Sequence, residues 1–147
     1  MWGMDNIGEV LFLAKTMELN LIASRPFIPC KYDFIVDNGK KLARVQVKLT
    51  SSVRETQSSG DVYVCKAANG SGSKNAYTKE EIDFLAIYCH PVGAWYIIPI
   101  EEAGEKLSLY LYPHRSIIGD FTTGMHENFF NAWTLLVNYD YCDKTKS

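Results

Sequence analysis

The feature that most constrains the fold is the dipeptide Asn38-Gly39, which lies between two apolar runs at residues 32–37 (YDFIVD) and 42–49 (LARVQVKL). Asn-Gly between such runs predicts a β-hairpin, because both residues readily adopt the positive φ angles of a tight turn. Successive side chains of a strand point to opposite faces. The second run therefore places Ala43, Val45, Val47 and Leu49 on one face and Leu42, Arg44, Gln46 and Lys48 on the other.

Three polar residues of this hairpin form the first candidate site. Asp33 lies on the first strand, and Gln46 and Lys48 lie two residues apart on the second. Antiparallel pairing brings neighbouring strands to about 5 Å, so a carboxylate, an amide oxygen and an ammonium are expected to converge. Such oxygen ligands suit Mg²⁺, and a lysine beside the metal can position water or offset charge in a transition state. A lysine alternating with valines is also typical of the solvent face of a half-buried strand.

A predicted helix at residues 5–19 adds a second carboxylate. Glu9 lies on the flank of its apolar stripe, and the preceding Gly8 would allow the helix to approach the sheet closely. Glu9 is therefore a candidate for completing a metal site, or else an ordinary first-turn glutamate favoured by the helix dipole. The apolar stripe, which is predicted to face the core, consists of Ile7, Val10, Leu11, Ala14 and Met17.

The rest of the chain indicates a mixture of helices and strands. Strands are predicted at residues 21–24, 61–66, 84–89, 95–100 and 107–112, a short capped turn at 78–81, and a C-terminal helix at 126–137. Two polar stretches, 50–60 and 67–75, are predicted to be a loop and a mobile connection. The sequence shows no internal repeat and no domain linker. A single α/β or α+β domain spanning residues 1–147 is therefore predicted.

Composition narrows the classes of function. The 147 residues are 47% hydrophobic, which allows a sizeable core, and the net charge of −2 lacks the basic excess that nucleic-acid binding usually leaves. The sequence has no signal-peptide pattern and no apolar run long enough to span a bilayer. Cys30, Cys65, Cys89 and Cys142 form no CxxC pair and have no histidine at zinc-finger spacing. An intracellular, cytoplasmic protein with reduced thiols and no membrane partner is expected.

Taken in order, these residues resemble the PD-(D/E)XK nuclease superfamily, and within it the small group I intron homing endonucleases. The resemblance covers roughly residues 4–113. It is carried by Gly8-Glu9 with Ala14, Pro29 with Tyr32-Asp33, Gln46-Val47-Lys48, Tyr77 with Glu81-Ile82-Asp83, Ala86-Ile87-Tyr88, and the run from Trp95 to Ile100. The resemblance implies an α/β fold with a restriction-endonuclease-like core, in which helices flank a mixed central sheet. It also implies hydrolysis of DNA phosphodiester bonds with Mg²⁺, which Mn²⁺ can replace.

The resemblance assigns a role to each residue of the hairpin site. Asp33 matches the metal-binding acid, Gln46 the second acidic position, and Lys48 the motif lysine. Glu9 matches the helix glutamate that often joins the metal site, and the Val47 carbonyl would be a further ligand. The chain departs from the pattern in two ways: no proline is adjacent to Asp33, and Gln46 is neutral. The missing charge at Gln46 should weaken metal binding and make Glu9 more necessary.

Polar residues after the motif strand are candidates for contacts with DNA phosphates. They are Thr50, Ser51, Ser52, Arg54, Lys66 and Lys74. Each of them, taken singly, is equally typical of a solvated surface. Asp83 is predicted to have a structural hydrogen-bonding role, and the scattered histidines are assigned no catalytic role.

The sequence is also compatible with two other functions, and it leaves the number of subunits to be predicted. Gln46 and the acidic net charge favour a non-catalytic member of the fold that binds nucleic acid or protein, and a Holliday-junction resolvase is the third candidate. Because one active site cuts one strand at a time, cleavage of double-stranded DNA predicts a homodimer or tetramer. Apolar residues near the C-terminus are predicted either to form the subunit contact or to pack on the core. They are Ile117, Ile118, Phe121, Phe129, Phe130 and Trp133.

Overall fold

The computed structural model describes residues 3–54, 62–69, 75–120 and 124–140 of the chain. In chain order the helices and strands are α1 (Met4–Glu18), β1 (Ile22–Ser24), β2 (Phe34–Asp37), β3 (Leu42–Thr50), β4 (Val53–Arg54), β5 (Val62–Lys66), β6 (Ala68–Asn69), β7 (Asn75–Ala76), β8 (Phe84–Cys89), β9 (Ala94–Pro99), α2 (Ile100–Ala103), β10 (Ser108–Leu111), α3 (Pro113–Ile117), a 3-10 turn (Glu127–Phe129) and α4 (Thr134–Val137). The helix predicted at residues 5–19 and all the predicted strands are present, with ends that agree to within two residues.

The predicted hairpin is confirmed and lies inside a five-stranded sheet of order β1-β2-β3-β8-β9. Strand β3 pairs antiparallel with β2, with Phe34 opposite Val45, and parallel with β8. The sheet is therefore mixed, and the predicted α/β class with a mixed central sheet is confirmed. At the turn Gly39 has a φ of 86°, and the Asn38 side-chain oxygen accepts from the N–H groups of Lys40 and Lys41 at 2.8 and 2.9 Å. The Asn38 side chain thus stabilises the turn locally, and its NH₂ group also donates to the carbonyls of Leu136, Val137 and Tyr139 in the C-terminal segment.

Helix α1 crosses the apolar face of this sheet, but not through the predicted stripe. Phe12 is fully buried and stacks on Phe34 with 5.3 Å between ring centroids. A Cβ added to Gly8 would lie 3.4 Å from the Leu49 Cβ, so the helix packs closely on the sheet at this residue. Val10 and Met17, by contrast, are 64% and 75% exposed. The predicted stripe is wrong because the helix is apolar around most of its circumference, and close approach through Gly8 selects the face that carries Phe12.

The opposite face of the sheet is covered by a second, three-stranded sheet of order β10-β5-β4. The buried residues between the sheets include Cys65, Leu85, Ile87, Leu109 and Leu111. The predicted loop at 50–60 begins later than expected, since β3 runs to Thr50 and β4 follows at Val53–Arg54. Residues 55–60 lie outside the described part. The ends of the connection predicted at 67–75 pair as β6 and β7.

The predicted C-terminal helix at 126–137 is wrong. The segment forms the 3-10 turn, an isolated bridge between Phe130 and Tyr96, and the four-residue helix α4. Asn131 has a φ of 53°, which interrupts a right-handed helix. Its apolar residues are drawn onto two surfaces, since Phe130 packs with Tyr96 and Trp133 packs with Phe12. Helices α2 and α3 were not predicted. Among the described residues, none of the helices is both long and apolar enough to cross a membrane.

Candidate active site

Asp33 lies one residue before β2 and is fastened to the motif strand by two hydrogen bonds. Its N–H donates to the Val45 carbonyl at 2.9 Å, which extends the hairpin ladder by one pair. Its carboxylate oxygen Oδ2 accepts from the Val47 N–H, also at 2.9 Å. The carboxylate therefore lies against the peptide that joins Gln46 to Val47. The structure thus brings together the first acid and the second position of the predicted motif.

Gln46 and Lys48 are both half-buried and share the face of β3 that points away from α1. The Gln46 side-chain amide lies 3.5 Å from the Val47 carbonyl oxygen. The Lys48 ammonium lies 5.4 Å from the ring centre of Tyr77, which is 7% exposed. A buried ring under an ammonium favours the charge and restricts its position. Tyr77 was singled out only as part of a family resemblance, and its contact with Lys48 joins elements too distant in sequence for spacing to reveal.

Glu9 reaches the site from the helix side. It lines an open cavity of about 270 Å³ together with Asp33 and Arg25. The Glu9 side chain is 17% exposed, and its Oε1 lies 3.3 Å from Arg25 Nη2. Two carboxylates, Glu9 and Asp33, thus face one cavity, and an arginine offsets part of their charge. The sequence predicted the approach of Glu9, and Arg25 is the partner that it did not predict.

The donor set fits a hard divalent cation. Asp33 and Glu9 supply carboxylate oxygens, Gln46 an amide oxygen and Val47 a backbone carbonyl, and Mg²⁺ prefers such ligands. An ionised carboxylate can accept about four hydrogen bonds or metal contacts, so the bond from the Val47 N–H leaves Asp33 capacity for a ligand. Within the described part of the chain, no three His, Cys, Asp or Glu residues cluster as metal ligands. The amide and the carbonyl would therefore have to complete the shell.

Arg44, on the same face of β3, forms a bidentate pair with Asp83. Arg44 donates from its backbone N–H and Nε to Oδ2 at 2.7 and 3.1 Å, and from Nη2 to Oδ1 at 3.1 Å. It also donates to the carbonyls of Glu80 and Lys79 at 2.6 and 2.8 Å. The hydrogen bond to Asp83 raises the pKa of Arg44 above its usual value. The predicted structural role of Asp83 is confirmed, because it joins the 78–81 turn to the motif strand.

The predicted phosphate-contacting residues differ in exposure. Thr50 is 5% exposed, and its hydroxyl donates to the Val64 carbonyl at 2.6 Å, which links the two sheets. That hydroxyl is already used in the interior, and we leave it out of the DNA-contacting set. The four candidates at the surface are Ser51, Ser52, Arg54 and Lys66. Lys74 lies outside the described residues.

A buried carboxylate, Glu127, escaped the sequence analysis. It is fully buried, and its Oε1 accepts from the Tyr96 hydroxyl at 2.5 Å and the Ser116 hydroxyl at 2.8 Å. Its Oε2 accepts from the Tyr112 N–H at 3.1 Å. Burial, followed by the hydrogen bond to Glu127, raises the pKa of Tyr96 far above its usual value. In the sequence, Glu127 belonged to a predicted amphipathic helix, and nothing there distinguished it from a surface glutamate.

The chain is similar to known proteins in its sequence pattern and in its fold. A family model described as PD-(D/E)XK endonuclease matches residues 4–121 of the chain. No curated protein gives a significant match. Among solved structures, that of a bacterial homing endonuclease, I-Ssp6803I, is similar with a TM-score of 0.74 over 100% of both chains, at 17% sequence identity. At this identity the likeness shows a shared fold.

Proposed function

This chain belongs to the PD-(D/E)XK endonuclease family, and from that premise we propose that it hydrolyses phosphodiester bonds of double-stranded DNA with a divalent metal ion. One observation carries the proposal: the Val47 N–H holds the Asp33 carboxylate at 2.9 Å. This bond supports the proposal because the Asp33 carboxylate lies against the Gln46–Val47 peptide of β3, the strand that also carries Lys48. A surface aspartate on a solvent-facing strand would not require such an anchor.

The metal would be held by Asp33, Glu9, the Gln46 amide oxygen and the Val47 carbonyl, with Mg²⁺ as the expected ion and Mn²⁺ as a substitute. A divalent ion in such a site polarises a phosphoryl oxygen and lowers the pKa of a bound water. Asp33 is oriented by its bond to Val47, and Glu9 by its pairing with Arg25. Glu9 supplies the second negative charge, which Gln46 cannot.

Lys48 would act at the reacting phosphate. Its ammonium is restrained over the Tyr77 ring, on the same face of β3 as Gln46. A pre-positioned cation there orients the attacking water and stabilises the negative charge that develops on the phosphate oxygens. The long, flexible Lys48 side chain then loses most of its conformational entropy on folding, before substrate binds. This is the physical reason for a ring contact beneath a catalytic lysine.

The DNA backbone would be contacted by Ser51, Ser52, Arg54 and Lys66, with Lys74 beyond the described part. Arg54 lies 5.9 Å from the ring of Tyr110, so its position too is restrained by an aromatic side chain. Ser51, Ser52, Arg54 and Lys66 are each exposed, on a chain whose net charge is −2. Phosphate contacts set affinity and register but carry no base specificity.

The direct test is cleavage of DNA by the purified chain with Mg²⁺ or with a chelator. Three substrates separate the candidate functions: supercoiled plasmid, a random-sequence duplex library and a four-way junction. Metal-dependent breaks in plasmid or library are expected. Cleavage confined to the junction would indicate a resolvase. DNA binding without cleavage in either metal would indicate the non-catalytic module, which the neutral Gln46 favours.

We predict that Gln46→Glu tightens Mg²⁺ and Mn²⁺ binding by about tenfold, because it adds a charged ligand where the present one is neutral and one such charge is worth roughly 1–2 kcal/mol in a half-buried site. Titration calorimetry on the two proteins measures the difference, with matching circular dichroism as evidence of an unchanged fold. Equal metal affinity in the two proteins would remove Gln46 from the metal shell.

We also propose a homodimer or tetramer, since two sites related by a two-fold axis most simply cut both strands. The apolar residues that were predicted to form the subunit contact differ in their exposure. Trp133 is 5% exposed, and Phe129 and Phe130 pack against the core, so these three are not available at the surface as a patch. Ile117 and Ile118 remain 58% and 72% exposed. Phe121 lies outside the described residues.

We therefore predict that Ile118→Glu lowers the mass measured by light scattering at micromolar concentration to that of the next smaller species. A charge placed in a subunit contact would be desolvated without a partner. Val10→Glu on the outer face of α1, where Val10 is 64% exposed, is the matched control. Dissociation by Val10→Glu alone would move the contact to α1, and a monomeric unmodified chain would exclude the assembly.

A further inference from the structure

The connection between β1 and β2 presents two large apolar side chains to solvent. It runs Arg25-Pro26-Phe27-Ile28-Pro29-Cys30-Lys31. Phe27 is 102% exposed and Ile28 is 73% exposed. The flanking prolines fix their own φ angles and favour extended backbone in the residues before them. The tip is thus conformationally restricted, and its apolar side chains are held away from the protein's own core.

The tip lies beside the proposed active site. The cavity of about 270 Å³ that Asp33 and Glu9 line is also lined by Pro26, Phe27 and Ile28. A phosphate bound through a metal ion held by Asp33 and Glu9 would therefore have Phe27 and Ile28 next to the adjoining sugars and bases. An exposed aromatic residue at that position is adjacent to the substrate, rather than at an arbitrary point of the surface.

The charge of the connection between β1 and β2 favours a polyanion, rather than an apolar protein surface, as its binding partner. Arg25 and Lys31 stand at its two ends, and residues 25–31 contain no Asp or Glu. The side chains of Arg25 and Lys31 are 57% and 51% exposed. Arg25 pairs with Glu9, but a guanidinium has five N–H donors and can contact a second acceptor. Apolar side chains framed by cations are the combination that architectural DNA-binding proteins insert between base pairs.

We propose that Phe27, supported by Ile28, is a wedge that enters the DNA duplex at the base step beside the scissile phosphate. Insertion would unstack that step and kink the helix, and the kink would turn the phosphate towards Asp33 and Glu9. This inference rests on the proposed nuclease function. Base–aromatic stacking offsets part of the cost of opening the step, and the restricted tip loses little conformational entropy on binding.

The test first selects a cleaved duplex from the random-sequence library. 2-Aminopurine is then placed at the steps flanking the cut, in complexes with Lys48→Ala protein, which is designed to bind without cutting. The probe's fluorescence is expected to rise when the duplex is bound and to stay low when Phe27→Ala is added to this background. Met17→Ala, which removes a 75% exposed side chain of α1 away from the cavity, should leave the rise unchanged.

In the otherwise unmodified protein, Phe27→Ala should slow cleavage of intact duplex roughly tenfold or more. A duplex that carries a mismatch at that step is already partly unstacked. Phe27→Ala should therefore cut it nearly as fast as the unmodified protein does.

A second readout does not depend on activity. Cys30 is exposed in the same connection, whereas Cys65 and Cys89 are buried. Selected DNA should protect Cys30 from alkylation, as read by peptide mass spectrometry, with free protein as the reference. If Phe27→Ala leaves the rise in 2-aminopurine fluorescence unchanged and still cuts intact duplex at the full rate, the wedge is overturned and the nuclease proposal stays intact. A fall in the protein's solution mass on Phe27→Ala, with cleavage retained, would overturn it in favour of a second copy of the chain. Absence of any cleavage by the unmodified protein would instead defeat the proposed function.

Discussion

Lys48→Ala and Asp33→Ala are each expected to reduce DNA cleavage by about a hundredfold to a thousandfold or more, the usual cost of removing one preorganised electrostatic group. In the proposed function, Lys48 is the cation that faces the reacting phosphate, and Asp33 is the acid that would hold the metal. Neither side chain belongs to the buried core, so both variants should keep the fold. Single-turnover cleavage rates at saturating Mg²⁺, compared with circular dichroism spectra, separate loss of chemistry from loss of structure.

Asp33→Asn makes this experiment sharper. The amide oxygen can still accept from the Val47 N–H, which preserves the 2.9 Å anchor, but the negative charge is lost. It should be as inactive as Asp33→Ala and more stable, since a net hydrogen bond is worth about 1 kcal/mol. Lys40→Ala, in the exposed hairpin turn, is the control for removing a lysine. Full activity in Asp33→Asn or Lys48→Ala would remove that residue from the site.

Glu127→Ala is expected to destabilise the protein by about 3–5 kcal/mol, because it leaves two buried hydroxyls and one partly buried N–H without an acceptor and creates a cavity. Those donors are the hydroxyls of Tyr96 and Ser116 and the Tyr112 N–H. They lie on β9, on α3 and on the residue before α3, so the carboxylate joins the C-terminal segment to the central sheet. Urea unfolding followed by circular dichroism gives the free energy of unfolding.

Glu127→Gln is the matched control. Its amide oxygen can accept from both hydroxyls, whereas its NH₂ group would face the Tyr112 N–H with a donor. It should therefore recover part of the stability that Glu127→Ala loses. Equal stability of Glu127→Ala and the unmodified protein would mean that water replaces the carboxylate. Since Glu127 lies outside the proposed active site, Glu127→Gln should retain cleavage under conditions where it is folded.

The sequence by itself determined the hairpin and the arrangement of the candidate site on it. Asn38-Gly39 specifies the turn locally, and the two-residue period of a strand then decides which side chains share a face. These short-range rules predict that Asp33, Gln46 and Lys48 lie on one hairpin, and the hydrogen bond from the Val47 N–H to the Asp33 carboxylate agrees with that placement of Asp33. The strand at Phe84–Cys89 was predicted with its correct ends from its continuous apolar run. These properties depend on neighbours along the chain, which a sequence displays directly.

Only the tertiary structure decided which apolar surfaces meet. Helix α1 offers apolar residues on several sides, and the face that packs on the sheet carries Gly8 and Phe12, which leaves Val10 exposed. The segment at 126–137 has a helical pattern, but Glu127 and Phe130 find partners on β9 that a continuous helix would not reach. The pairing of Glu9 with Arg25 has the same origin. Packing and buried hydrogen bonds join residues that are distant in sequence, and their combined free energy exceeds the local preferences that a sequence shows.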